Sequence, residues 1–367
     1  MLPSVRRDLG LDYLSSGSLN AIHLAGYLIG TLLAPSLGRL APAWKIARWA
    51  HWLVAAGALL CALAPASFTG FFVLALGRLL TGIGAGTSIV ATFVIVFEAV
   101  NAAKRPLVSA LIWSGFGFAI IASGLGISYL LETAAGWRVS FVLAALLATA
   151  VALFFPPRAM RSADALPQTP AEGGRFDVAN MLRGRWLFLV LAYLLFGIGY
   201  VAYSTFAGAR LAAIGAPVFV AGAAWTVLGV TSIVGALATI PMLGSERVKR
   251  VALFAALAFG AIGSFVASGA SPGAAFFGAL LVGFGLAATP TIVSAYVRER
   301  CSAAEYPRAF SIASAMLGIG QLIGPVAGGA VGDWLGTAAI PIVAACAYGL
   351  GAIAAAIDGA IRPSSRT

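Results

Sequence analysis

The stretch Arg78-Leu79-Leu80-Thr81-Gly82-Ile83-Gly84-Ala85-Gly86 decides the fold, and it lies inside an apolar run over residues 71–97. As an α-helix rising 1.5 Å per residue, such a run spans about 40 Å, enough to cross about 30 Å of hydrocarbon. Apolar residues on both sides of Gly82, Gly84 and Gly86 exclude a phosphate-cradling loop. The glycines read as close helix packing, where small residues let backbones approach. Arg78 is a guanidinium inside this run, at a cost of at least about 2.5 kcal/mol by insertion scales. It faces a wet cavity or a partner, or it snorkels to the nearer surface.

Ten further runs surround this one, at 18–38, 49–66, 107–131, 139–155, 186–206, 218–243, 250–268, 273–296, 309–331 and 338–361. Each predicts a membrane-spanning helix, since lipid gives backbone groups no partner outside the helix. The fold class is therefore all-α and polytopic, with eleven spans. Of 367 residues, 61% are hydrophobic and 10% charged, with mean hydropathy +0.98. A soluble domain carries about 25% charged residues, so soluble enzymes and disordered chains are excluded.

The net charge of +11 does not mark a nucleic-acid binder, because the charges sit in short gaps between apolar runs. Eighteen of the 23 Lys and Arg fall in alternate gaps, from Arg39 to Arg366. By the positive-inside rule these gaps, and the C-terminus, are cytoplasmic. Cys61, Cys301 and Cys346 lie in or beside apolar runs and form neither a disulfide framework nor a metal-ligand spacing. The Pro- and Gly-rich gap 156–185 reads as a cytoplasmic linker. It separates an N-terminal half, 1–155, from a C-terminal half, 186–367.

The halves repeat. An offset of 201 carries Gly77, Gly82 and Gly84 onto Gly278, Gly283 and Gly285, and Glu98 onto Glu299. An offset of 205 carries Gly10 onto Gly215 and Gly17 onto Gly222. Two parallel halves joined by a cytoplasmic linker are a transporter pattern. The same offset places the counterpart of 186–206 at or before residue 1, so the expectation is two pseudo-symmetric six-helix halves with the first helix missing.

The halves, linker and glycine series resemble the major facilitator superfamily. Arg78 with its spaced glycines looks like that family's fourth-helix motif. Gly136-Trp137-Arg138 and Gly320-Gln321-Leu322-Ile323-Gly324-Pro325 are similarly typical. Gly26-Tyr27-Leu28-Ile29-Gly30 and Gly197-Ile198-Gly199-Tyr200 narrow the resemblance to the bacterial YbfB/YjiJ-type branch. The acidic-basic motif between the second and third helices is worn down to Gly38-Arg39, and the fifth helix lacks the Pro of the antiporter branch.

The resemblance implies a monomeric inner-membrane secondary transporter that rocks its halves around a central solute site. No Walker motif or catalytic constellation is present, so uphill transport would draw on an ion gradient, with the proton as the candidate and no cofactor. Asn20, His23 and Tyr27 share one face of their span by spacing. With Arg78, Tyr200, Ser204, Thr289 and Gln321 they are the candidate substrate-binding residues. Glu98, Arg105, Glu299 and Arg300 are candidates for an inner gate of ion pairs. Trp113 and Trp225 read as core aromatics, His51 as an interfacial residue, and Asp358 as lying near the cytoplasmic surface. The alternative function is a non-transporting membrane scaffold or sensor, or an inactive truncated transporter.

Overall fold

The computed structural model describes residues 2–38, 40–101, 105–131, 136–155, 183–301 and 306–360. The helices are α1 (Leu2–Leu9), α2 (Tyr13–Leu37), α3 (Ala43–Ala62), α4 (Phe68–Ala99), α5 (Arg105–Leu131) and α6 (Gly136–Phe154). They continue as α7 (Gly184–Ala213), α8 (Val218–Thr239), α9 (Glu246–Ala267), α10 (Pro272–Arg300), α11 (Tyr306–Leu335) and α12 (Ala339–Ala360). A 3-10 turn, Ile240–Gly244, follows α8. Among the described residues there is no strand, and nine helices are long and apolar enough to cross a membrane.

Most helices start earlier than the apolar runs do. Asp12 caps α2 by accepting the Ser15 amide at 2.7 Å, so the helix begins at Tyr13. Pro42 precedes α3, whose first turns carry Lys45, Arg48 and His51. Such residues suit the polar edge of a bilayer, where an apolar-run criterion stops too soon. The linker expected at 156–185 falls almost wholly outside the described residues.

Two compact units form. One comprises Met1–Phe116 and Gly126–Ala171, the other Gly117–Leu125 and Glu172–Thr367. The middle of α5 thus packs with the second unit, where Ser123 Oγ accepts from Trp225 Nε1 at 3.0 Å. Trp225 is therefore a hydrogen-bonded packing residue, while the Trp113 side chain lies outside those described.

Within each unit the glycine series performs the same packing. Gly57 and Gly77 seat α3 on α4, and a Cβ at Gly77 would stand 2.7 Å from the Gly57 carbonyl oxygen. Offsets of 206 and 201 give Gly263 and Gly278, where the corresponding distance is again 2.7 Å. A Cβ at Gly84 would meet the Ala50 oxygen at 2.6 Å; at Gly285 it would meet that of Ala256 (50 + 206) at 2.7 Å. Gly30 abuts the Ile83 carbonyl, as Gly235 abuts that of Phe284. Backbones this close leave no room for a side chain, which is why glycine is required. Gly10 and Gly215, also paired by offset, end their helices with φ of +64° and +75°. By that offset α1 corresponds to the end of α7.

Large apolar side chains point outward as well as inward: Leu32 and Leu147 are 68% exposed and Phe265 63%. That distribution suits a chain whose solvent is lipid.

Candidate solute site

Four side chains from α2 and α4 meet inside the first unit. Arg78 Nη2 donates to Asn20 Oδ1 at 2.9 Å. His23 Nδ1 lies 3.2 Å from the Arg78 carbonyl oxygen and 3.1 Å from Thr81 Oγ1. Thr81 donates to that same carbonyl at 2.9 Å. The glycines make the meeting possible: a Cβ at Gly82 would strike the His23 carbonyl, so α2 and α4 cross here at close range. Arg78 therefore turns into the bundle toward Asn20, so the snorkelling reading gives way. Since a carbonyl only accepts, this contact assigns a proton to His23 Nδ1 and leaves Nε2 for another partner.

The repeat shows what packing alone needs at these positions. Asn20 and His23 correspond to Trp225 and Leu228 (offset 205), and Arg78 and Thr81 to Ala279 and Val282 (offset 201). In the second unit the same crossing packs around Leu228 and Gly283 with no charge in it. The polar quartet is thus an addition of the first unit, not a requirement of the helix pair. Tyr27 lies one turn beyond His23, and its carbonyl accepts from Thr31 Oγ1 at 2.8 Å.

In the second unit, Gln321 of α11 donates to the Tyr200 hydroxyl of α7. Gly197, Gly320 and Gly324 bring these two helices together, with Gly324 facing the Ile198 carbonyl. The Tyr200 ring packs on Phe196 at 5.1 Å between centroids. Ser204 turns back onto its own helix, toward the Val201 carbonyl at 3.4 Å. Thr289, beside Pro290 in the unbroken α10, is fully buried, and its hydroxyl has no partner among the described residues.

One end of the second unit is an ionic cluster. Lys249, fully enclosed, pairs with Glu299. Arg300 forks onto both carboxylate oxygens of Asp358, one bond measuring 2.8 Å. Glu246 pairs with Arg250 one turn away. Asp358, expected near the membrane surface, is 1% exposed within the protein, and its buried charge meets Arg300. The side chains of Glu98 and Arg105 lie outside those described. At the corresponding end of the first unit, Ala43 and Trp44 stand where Lys249 and Arg250 stand in the second. There they join an apolar cluster with Ile46 and Ile95.

Sequence spacing missed Lys249 and Asp358, whose partners lie 50 and 58 residues away. It also passed over Asp8 in α1, which accepts from Trp137 Nε1 at 2.7 Å and pairs with Arg138 at 3.3 Å. His51, expected at an interface, is half-buried in the third turn of α3 with Nε2 3.2 Å from Ser88 Oγ. Among the described residues no three His, Cys, Asp or Glu side chains gather as a metal site.

Solved structures share this fold. A mutant form of the nucleoside transporter NupG superposes with TM-score 0.74 at 14% identity, over 97% of this chain and 92% of that one. NupG itself gives 0.71 at 17% identity, over 96% and 91%. A bacterial homologue of the human lysosomal transporter Spinster, in an inward-facing and occupied conformation, gives 0.70 at 15%, over 98% and 92%. No curated protein matches the sequence. The family model described as "Uncharacterised MFS-type transporter YbfB" matches residues 1–359. The chain is a multi-pass membrane protein of the major facilitator superfamily and belongs to its YbfB-type transporter family.

Proposed function

We propose that the protein is a secondary active transporter that moves a small solute by alternating access, its site opening to one side of the membrane at a time. The proton is the coupling ion. The protein resides as a monomer in the bacterial inner membrane with its C-terminus in the cytoplasm, the side that the Lys and Arg distribution favours. Each unit carries one set of solute-contacting side chains: Arg78, Asn20, His23 and Tyr27 in the first, and Tyr200, Ser204, Thr289 and Gln321 in the second.

The observation that carries this reading is the quartet around Arg78, placed where the repeat needs only apolar packing. A charged group inside a span is costly, and function is the ordinary reason to retain one. Glu98, Arg105, Glu299 and Arg300 form the inner gate in this reading. Its support is the pairing of Glu299 with Lys249 and of Arg300 with Asp358 at the inner end of α10.

Purified protein in liposomes, offered a metabolite panel under an imposed inside-alkaline pH gradient, tests the proposal. The expected result is saturable uptake of one solute class that collapses when a protonophore is added. Saturable uptake indifferent to the gradient would remove proton coupling. No saturable uptake of any solute would remove transport.

A further inference from the structure

The quartet also assigns a chemical class to the solute: we infer that the first unit binds a small organic monocarboxylate, held by the guanidinium of Arg78. The inference rests on the transporter reading above and names the substrate class of that same site.

A guanidinium has five N–H donors and no acceptor. Arg78 spends one of them, on the neutral amide oxygen of Asn20. Among the described residues no carboxylate reaches it. Arg138, Lys249, Arg250 and Arg300, by contrast, each meet an Asp or Glu. Arg78, inside the span Thr69–Val96, is thus a cation without an acidic partner among the described residues. A desolvated charge of this kind calls for a counter-charge brought from outside.

The remaining donors define the shape and charge of what comes. The planar fork of an arginine matches a carboxylate through two parallel N–H···O bonds. The neighbouring groups add no charge: Asn20 and Thr81 are neutral, and a second positive charge on His23 is disfavoured beside the Arg78 guanidinium, whose carbonyl lies 3.2 Å from His23 Nδ1. One positive charge balances one negative charge, so a monoanion leaves the site neutral, a dianion leaves it negative, and a cation is repelled. His23 Nε2 and the Tyr27 hydroxyl, neither with a side-chain partner among the described residues, are free to bond polar groups elsewhere on the acid. The second unit offers no such fork, because Ala279 stands in place of Arg78.

The test uses the whole protein in nanodiscs, titrated with acetate, lactate, pyruvate and benzoate, with the matching amides, and with inorganic phosphate, reading unfolding temperature and Kd. At least one acid is expected to stabilise the protein while its amide does not. Arg78→Gln should weaken that acid by about thirtyfold or more, as truncating one partner of a buried charge pair does. Arg78→Lys, which keeps the charge, should weaken it less. Amides that bind as well as acids, phosphate bound in preference to every acid, or an unchanged Kd in Arg78→Gln would each overturn the inference. The acid-over-amide preference of the unaltered protein decides the matter even if Arg78→Gln fails to fold. Saturable uptake of a neutral solute that Arg78→Gln leaves unchanged would sink the carboxylate and leave the transporter reading intact. Carboxylate binding without any uptake would do the reverse.

Discussion

Arg300 and Asp358 form a two-pronged ion pair that ties the end of α10 to the end of α12, with side-chain exposures of 10% and 2%. Removing the cation strands an enclosed carboxylate. Arg300→Ala is therefore expected to cost about 3–5 kcal/mol of stability. The double change Arg300→Met with Asp358→Leu should be nearly neutral or stabilising, since it removes both charges. Thermal unfolding of the three proteins in one detergent, with equal yields of monodisperse material as control, checks the ordering.

The glycine crossings make a sharper contrast. A methyl group at Gly30 would overlap the Ile83 carbonyl, and one at Gly235 would overlap that of Phe284. Gly30→Ala and Gly235→Ala should each destabilise by about 1–3 kcal/mol through forced separation of the helix pair. At Gly115 nothing lies within 4 Å of the added atom. Gly115→Ala is expected to be neutral or to stabilise by about 0.5–1 kcal/mol, through helix propensity. Unfolding temperatures of the three variants separate packing from propensity.

Asp12 supplies a pH-dependent prediction. Its hydrogen bonds from Ser15 hold the carboxyl below its ordinary value of 3.8. A group depressed in the folded state contributes stability above its unfolded value and loses it as pH falls through the lowered one. The α2 N-terminus should therefore fray in acid below about pH 4, and Asp12→Ala should fray it at neutral pH by about 1 kcal/mol. Asp12→Asn should hold the cap without the acid dependence. Amide exchange at Ser15 and Ser16 is the readout.

On the proposed reading, the Gln321–Tyr200 hydrogen bond lies in the path of the solute. Gln321→Leu and Tyr200→Phe each delete one neutral hydrogen bond. The expected change is a KM for the transported solute raised about two- to tenfold, with unfolding temperature little altered. An unchanged KM in both variants would take this pair out of the solute's path.

Much of the helix inventory was legible in the chain because lipid makes every spanning run apolar and helical, whatever its neighbours. The ends were less so. Asp12 and Pro42 set the true starts of α2 and α3 several residues upstream of the apolar runs, in a zone that tolerates Lys45 and Arg48. Arg78, Asn20 and His23 were legible as polar residues out of place, yet Thr81 was read as part of a packing motif although it completes the quartet. Pairs that span some fifty residues, Lys249 with Glu299 and Arg300 with Asp358, leave no local spacing to find. Nor does the sequence of α1 announce that Asp8 meets Trp137, 129 residues away.

Because Gly57 with Gly77 and Gly263 with Gly278 close on one another at the same distance, their helix pairs are interchangeable parts. A chimaera carrying the α9–α10 crossing glycines in both copies would keep its bundle geometry. Its polar quartet at Asn20, His23, Arg78 and Thr81 could then be varied without disturbing the glycine crossings. One scaffold thus serves twice, and only one copy carries the polar quartet.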